Sequence, residues 1–272
     1  MSRSRAEFAR AAAHENRELR FRRLLGMSYQ ELRALLLGDP AVAAAWVRSA
    51  AEHGLPAAQL RLGRMLLDGT GTLRNEREAY LWFTRAAERG DAAAENMVGR
   101  CHENGWGVPV SLVLAAEHYR RSASSGHDWG EYNFGNMLFE GRGIAADPPR
   151  ALHFYLRAAR QGHARAMNLI ARCLEEGWGC RSSLTDALYW YRRSAEGGYF
   201  RGQFNYASML LERGRSTLAA EWFWKAALAG NEDTRRSISM VLERAMHPVL
   251  RALAARVRQL EEPTGGPGSG AV

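Results

Sequence analysis

A series of glycines at a spacing of 36 residues constrains this 272-residue chain more than any other feature of its sequence. Single glycines stand at 54, 90, 126, 162 and 198, and Gly-x-Gly pairs begin at 69, 105, 141 and 177 in the same register. Such an interval is typical of proteins in which one small supersecondary unit is stacked many times. The chain is therefore predicted to be one continuous array of repeats rather than two unrelated domains.

Each 36-residue unit has the pattern of a helical hairpin. Apolar and small residues recur at three- and four-residue spacing, as at Leu62, Gly63 and Leu66, which predicts a first helix with one buried face. The Gly-x-Gly pair should end this helix, because glycine adopts a positive φ without steric cost. The aromatic pair Trp82-Phe83 and a following small-residue run mark a second helix. Because one hairpin cannot cover its own apolar face, neighbouring hairpins must stack.

The combined pattern resembles a known repeat family. It reads Ala-x-x-x-Leu-Gly-x-x-Leu-x-x-Gly-x-Gly, then Ala-x-x-Trp-Phe-x-x-Ala-Ala-x-x-Gly, and is similar to the Sel-one-like repeat (SLR), a relative of the tetratricopeptide repeat (TPR). The resemblance implies an all-α fold, a right-handed α/α solenoid of stacked helical hairpins in an SLR/TPR-like superhelix. Two departures fall in the fifth unit, where we expect Gly202 to interrupt the first helix and Arg213 replaces the first turn glycine.

The register divides the chain into segments with defined boundaries. We expect a basic N-terminal helix (1–26), a degenerate N-terminal repeat (27–54), four SLR repeats (55–90, 91–126, 127–162 and 163–198), a shortened terminal repeat (199–230), C-terminal capping helices (231–262) and a disordered tail (263–272).

Charge and composition narrow the class of partner and the compartment. The net charge is +8, but half of it lies in residues 1–25, and the repeats carry charges of both signs, which argues against nucleic acid. The N-terminus lacks the apolar run of a signal peptide, and no stretch is long enough to span a membrane, so we expect a cytoplasmic protein, and the family resemblance implies a bacterial one. Three cysteines are too few and too scattered for a disulfide framework.

The sequence shows no set of residues that points to catalysis. The eight histidines do not cluster at ligand spacing, and His127 and His163 share one repeat position after the spacing glycine, which favours a turn role. The Gly-x-Gly turns end helices, whereas phosphate binds where a helix begins. We therefore expect no enzyme, cofactor, metal or small-molecule substrate.

Candidate binding residues follow from the resemblance, because the first helix of each hairpin lines the concave groove in related repeats. Amide side chains can hold peptide backbone groups and arginine can hold carboxylates. Aromatic side chains of the third unit add a possible anchor, although local packing also explains them. The binding set is Arg64, Asn96, Arg100, Trp129, Tyr132, Asn133, Asn136, Phe139, Asn168, Arg172 and Asn205. The alternative reading is that these polar side chains are merely solvated.

Two functions stay open at this point. The first is a non-enzymatic adaptor or scaffold that binds a protein or peptide in the groove. The second is a regulatory or assembly protein that acts through its convex face or terminal helices, in some relatives alongside envelope, transport or iron-uptake systems. The sequence leaves the partner and the oligomeric state undetermined.

Overall fold

The computed structural model describes residues 18–245 and 247–260, and the regular structure in those ranges is helical throughout. The all-α fold class built from stacked helical hairpins is thereby confirmed. The expected disordered tail and the first 17 residues of the expected N-terminal helix lie outside the described residues. The helices are α1 (described over 18–25), α2 (Tyr29–Leu37), α3 (Pro40–Glu52), α4 (Pro56–Asp68), α5 (Glu76–Ala87), α6 (Ala92–Asn104), α7 (Leu112–Ser124), α8 (Asp128–Glu140), α9 (Pro148–Arg160), α10 (Ala164–Glu176), α11 (Leu184–Glu196), α12 (Phe200–Glu212), α13 (Ser216–Ala229), α14 (Glu232–Glu243) and α15 (Pro248–Gln259).

These helices form two compact units. Of the described residues, unit 1 contains 18–137 together with Gly141–Ala146, and unit 2 contains Leu138–Glu140, 147–245 and 247–260. Within unit 1, each helix from α3 to α7 packs against the next one in sequence. Within unit 2 the same holds from α9 to α13, and α15 packs against both α13 and α14. Packing between sequence neighbours is what a stack of hairpins requires.

Side-chain caps define where the helices begin. Second helices start after Asn75, Ser111 or Ser183, and each of these side chains accepts a hydrogen bond from the backbone N–H three residues later. First helices α8 and α10 start after His127 and His163. The Nδ1 atom of each histidine accepts a hydrogen bond from the backbone N–H three residues later, that of Gly130 or Ala166, at 3.2 Å in both cases. The predicted turn role of these two histidines is confirmed.

One aromatic side chain per hairpin occupies the centre of the core. It is the second residue of each aromatic pair, and these side chains are at most 2% exposed: Phe83, Tyr119, Tyr155, Tyr191 and Phe223. A small residue on the first helix makes room for the ring. A Cβ added at Gly99 would lie 2.7 Å from Cδ1 of Tyr119. The expected close approach of the two helices is confirmed there.

The two glycines of each Gly-x-Gly turn have different structural roles. Gly105 ends α6 with φ +76°, and its N–H donates to the carbonyl of Cys101 at 2.9 Å. Gly107, with φ +73°, lies against the backbone at the start of α5, where an added Cβ would be 2.6 Å from Cα of Arg77. The first glycine therefore ends a helix, and the second lets the turn contact the preceding hairpin.

The fifth repeat corrects one prediction. Helix α12 runs without a break through Gly202, which is buried and packs against Ser194, so the expected interruption is wrong. Glycine in a helix interior usually lowers stability, but here the absence of a side chain allows the close contact with Ser194, which a larger residue would prevent. Arg213 ends α12 with φ −89°, and Gly214 at φ +73° supplies the left-handed residue one position later. In the described residues, no helix is long and apolar enough to cross a membrane.

Candidate functional site

An asparagine pair joins the first helices α6 and α8 within unit 1. Asn133 Nδ2 donates to Asn96 Oδ1 at 2.8 Å, and Asn96 is only 5% exposed. A carboxamide carries two N–H donors and an oxygen with two acceptor positions. No further hydrogen bond of either side chain is present among the described residues, so the more accessible Asn133 retains one amide N–H group and its carbonyl oxygen for another molecule.

Unit 2 contains the same arrangement between α10 and α12. Asn205 Nδ2 donates to Asn168 Oδ1 at 2.9 Å, and Asn168 is 5% exposed. The expectation of an open row of asparagines is therefore corrected at Asn96 and Asn168, which are buried because each is covered by the asparagine of the following first helix. The half-buried partners Asn133 and Asn205 present the accessible part of each pair.

Two predicted arginines stack on tryptophans of the Gly-x-Gly turns. The guanidinium carbon of Arg100 lies 4.8 Å from the ring centroid of Trp106, and that of Arg172 lies 5.2 Å from the centroid of Trp178. Such stacking orients the cation and contributes about 0.5–1 kcal/mol at exposed sites. Neither guanidinium contacts a carboxylate among the described residues. Both are therefore held in place by an aromatic ring and remain available to an external anion.

A buried tyrosine donates a hydrogen bond to a glutamate near each arginine. Tyr119 donates its hydroxyl proton to Glu103 at 2.6 Å, and Tyr191 donates to Glu175 at 2.6 Å. Burial, together with the adjacent carboxylate, raises the pKa of both phenols far above its usual range, so they stay protonated donors. Glu103 also pairs with Arg142 at 2.7 Å. Both glutamates are thus held by hydrogen bonds within their own unit, and the charge of Glu103 is also balanced by Arg142.

The other predicted residues occupy different surroundings. Arg64 lies at the edge of an apolar cavity of about 400 Å³ in unit 1, lined by Leu32, Trp46 and Leu60 among others. Trp129 is 39% exposed and meets Tyr132 edge to face, with ring centroids 6.0 Å apart. Asn136 is half-buried on α8.

Phe139 is a further predicted anchor, and it belongs to unit 2. Its ring lies 5.4 Å from that of Trp178, the tryptophan that supports Arg172. This contact makes Phe139 part of the support of the arginine rather than a separate anchor. The structure therefore brings the predicted residues into two groups, Arg100 with Asn96 and Asn133 in unit 1, and Arg172 with Asn168, Asn205 and Phe139 in unit 2.

The tryptophans were missed by sequence reasoning, although the signal was present. Both occupy the middle of a Gly-x-Gly turn, at Gly105-Trp106-Gly107 and Gly177-Trp178-Gly179, where the other turns have threonine or arginine. A tryptophan six residues after an arginine, repeated in two units, marks a stacked pair once the turn is known to fold back beside the helix. The position of the tryptophan in the repeat does not by itself show that the turn folds back beside the helix.

Chemistry by the thiols is limited by burial. In the described part of the chain, no group of three histidine, cysteine or acidic side chains could hold a metal ion. Burial raises the pKa of the Cys101 thiol to about 12 and that of Cys173 to about 11. The thiolate is the reactive form, so both thiols are inert in the folded protein at neutral pH.

This leads to a labelling prediction. At pH 8, a disulfide reagent that titrates thiols is expected to react with at most one thiol per native chain, the half-buried Cys180. All three should react in guanidinium chloride. The Cys180→Ser variant serves as the control and should lose the native reaction. Rapid labelling of two or three thiols in the folded protein would contradict the burial of Cys101 and Cys173.

Stacked hairpins with polar residues exposed on their first helices define a helical-repeat scaffold for protein interactions. The sequence matches the model of the Sel1 repeat at residues 23–55, 56–91, 92–127, 130–163 and 164–199. These segments make up more than half of the chain, which therefore belongs to the Sel1 repeat family. Comparison with curated proteins gives no match.

Solved structures agree with this assignment. A Sel1 repeat protein from Oxalobacter formigenes is 30% identical, with a TM-score of 0.64 over 68% of this chain and 76% of the other. A protective antigen present in uropathogenic Escherichia coli strains, with an SLR fold, is 25% identical, with a TM-score of 0.68 over 94% of this chain. The chain spans only 56% of that antigen. An immunity protein from Pseudomonas aeruginosa shares the fold at 17% identity and a TM-score of 0.51, over 75% of this chain and 80% of the other.

Proposed function

We propose that this protein is a non-enzymatic adaptor that binds an acidic peptide segment of a partner protein on the surface of its first helices. The observation that carries the proposal is the pair Arg100 and Arg172. Each guanidinium is oriented by a tryptophan and lacks a carboxylate partner among the described residues. An oriented, unpaired guanidinium binds a carboxylate through charge-assisted hydrogen bonds.

The asparagine pairs support the same function. Each arginine lies four residues after a buried asparagine on the same helix, Asn96 before Arg100 and Asn168 before Arg172, so both side chains share a helix face. The unused amide groups of each pair match the carbonyl and N–H of an extended peptide backbone. Backbone contacts by the amides and side-chain contact by the arginine together describe recognition of a peptide. A cytoplasmic site of action remains our prediction.

The competing function, action through the second-helix surface or the terminal helices, makes the opposite prediction about mutants. Variants that lose the first-helix arginines would then bind normally. Exposed arginines also occur on second helices, at Arg120 and Arg192. These two residues provide a matched control, because their removal changes the net charge by the same amount on the other helix of each hairpin.

The proposal is tested with a displayed library of random dodecapeptides selected on the full chain. Enriched peptides are then synthesised and measured by fluorescence anisotropy against wild type, an Arg100→Gln/Arg172→Gln variant and an Arg120→Gln/Arg192→Gln control. Glutamine keeps a polar side chain at each position and removes both the charge and the guanidinium that stacks on tryptophan. We expect about tenfold weaker binding, or more, for the first variant and unchanged binding for the control. Equal binding by all three proteins, or no enriched peptide, would reject the proposal.

A further inference from the structure

The sequence contains a longer period than 36 residues. Between residues 91–126 and 163–198, 18 of the 36 positions are identical, whereas residues 91–126 and the adjacent 127–162 share only 9. These two repeats are therefore more alike than either is to the repeat between them, whereas 55–90 and 127–162, which are also 72 positions apart, share only 10 positions. Since the hairpin itself has a period of 36, the extra similarity must preserve something besides the hairpin.

The residues of the candidate site are among those that follow the longer period, as are Arg120 and Arg192 of the second helices. Asn96 and Asn168, Arg100 and Arg172, and Trp106 and Trp178 are each separated by 72 positions. So are Asn133 and Asn205. The intervening repeat has Tyr132 at the buried-asparagine position, Asn136 at the arginine position and Arg142 at the tryptophan position, so it lacks the set.

The contacts are repeated along with the residues. Each unit contains an asparagine pair at 2.8 or 2.9 Å, an arginine over a tryptophan at 4.8 or 5.2 Å, and a buried tyrosine donating to glutamate at 2.6 Å. A hydroxyl of the second helix also donates to the first-helix carbonyl in both units, Ser122 to Ala92 and Ser194 to Ala164. The two compact units thus present the same local geometry.

We infer that the chain has two equivalent binding sites and holds two acidic peptide segments at once, one on Asn96, Arg100, Trp106 and Asn133, the other on Asn168, Arg172, Trp178 and Asn205. The inference rests on the proposed function and adds the number of peptides that one chain binds. A stacking requirement alone would repeat in every hairpin. It does not, because the hairpin 127–162, which contributes Asn133 to the first site, carries other residues at the positions of Asn96, Arg100 and Trp106.

The chemistry of each site limits its ligand to a peptide with a carboxylate. The guanidinium supplies the positive charge, the tryptophan ring supplies an apolar wall, and the asparagine pair supplies one donor and one acceptor. In unit 1, Arg142 adds a second positive charge next to Glu103, whereas Gly214 stands at the corresponding position of unit 2. The site in unit 1 is therefore expected to hold an acidic peptide more tightly.

The test counts bound peptides. The probe is the synthetic dodecapeptide enriched on wild type, amidated at its C-terminus, and titrated calorimetrically into wild type, Arg100→Gln, Arg172→Gln and the double variant. We expect two peptides per wild-type chain, one per chain for each single variant, and at least about tenfold weaker binding for the double variant. Arg172→Gln should retain the tighter site. Native mass spectrometry of the same mixtures gives an independent count, and circular dichroism shows that each variant is folded.

The outcomes separate this inference from the proposed function. One peptide per wild-type chain, lost in Arg100→Gln or Arg172→Gln alone, would overturn the two-site inference and leave arginine-dependent peptide binding intact. Binding that ignores both arginines would overturn both. Two further peptides identify the carboxylate, one with its acidic residues changed to amides and one with a free C-terminus. If neither change alters the affinity, recognition of a carboxylate is wrong.

Discussion

The Gly107→Ala variant is expected to lose about 2–5 kcal/mol of its free energy of unfolding, enough to shift the urea midpoint clearly. Two costs add. The residue has φ +73°, where an alanine is disfavoured by about 1–2 kcal/mol. Its new Cβ would also lie 2.6 Å from Cα of Arg77 and close to the carbonyl of Glu76. These are backbone atoms at the start of α5 that cannot swing aside, so overpacking adds about 1–3 kcal/mol.

A second glycine separates the two costs. Gly90 has φ +84°, but an added Cβ would meet no atom within 4 Å. Gly90→Ala is therefore expected to cost only the backbone strain of about 1–2 kcal/mol. Far-UV circular dichroism in urea measures both variants. Equal losses in Gly107→Ala and Gly90→Ala would show that the turn does not press on the preceding hairpin.

The hairpins could be predicted from the sequence because their determinants are local. Glycine at the end of a first helix, a capping side chain such as Ser111 before a second one and a large ring at Phe83 each act within one or two turns of helix. Gly202 shows the limit of such reasoning. Its low helix propensity predicts a break, but the structure places the neighbouring hairpin helix so close that only glycine fits, and packing outweighs propensity.

The site was only partly predictable, for a geometric reason. The sequence placed Asn96 and Asn133 on first helices, but they lie in different rows of the repeat and bond at a separation of 37 positions. Periodicity gives the angular position of a residue on its helix. It does not give the sideways offset of one helix against the next, which decides that Asn96 is covered while Asn133 remains accessible. The support of Arg100 by Trp106 likewise depends on how the turn folds back.

Phe83→Ala is expected to destabilise unit 1 by about 3–5 kcal/mol. Phe83 is fully buried in the core that also contains Leu62, Leu66 and Trp82. Removing the ring loses the free energy gained by burying it and leaves a cavity that the surrounding helices fill only in part. The measurement is again the urea midpoint. Leu81→Ala is the control on the same helix, because Leu81 is 50% exposed and its truncation should change stability by no more than about 0.5 kcal/mol.

A double variant tests the reason for that loss, which is the fit between Phe83 and Gly63. A Cβ at position 63 would lie 2.6 Å from Cδ1 of Phe83, so Gly63→Ala should destabilise the protein that retains the ring. In the Phe83→Ala background the same methyl group enters the vacated space, and alanine also favours helix over glycine by about 1 kcal/mol. Gly63→Ala should therefore change sign and stabilise the Phe83→Ala protein. A coupling energy near zero in this double-mutant cycle would contradict direct packing of the ring on Gly63.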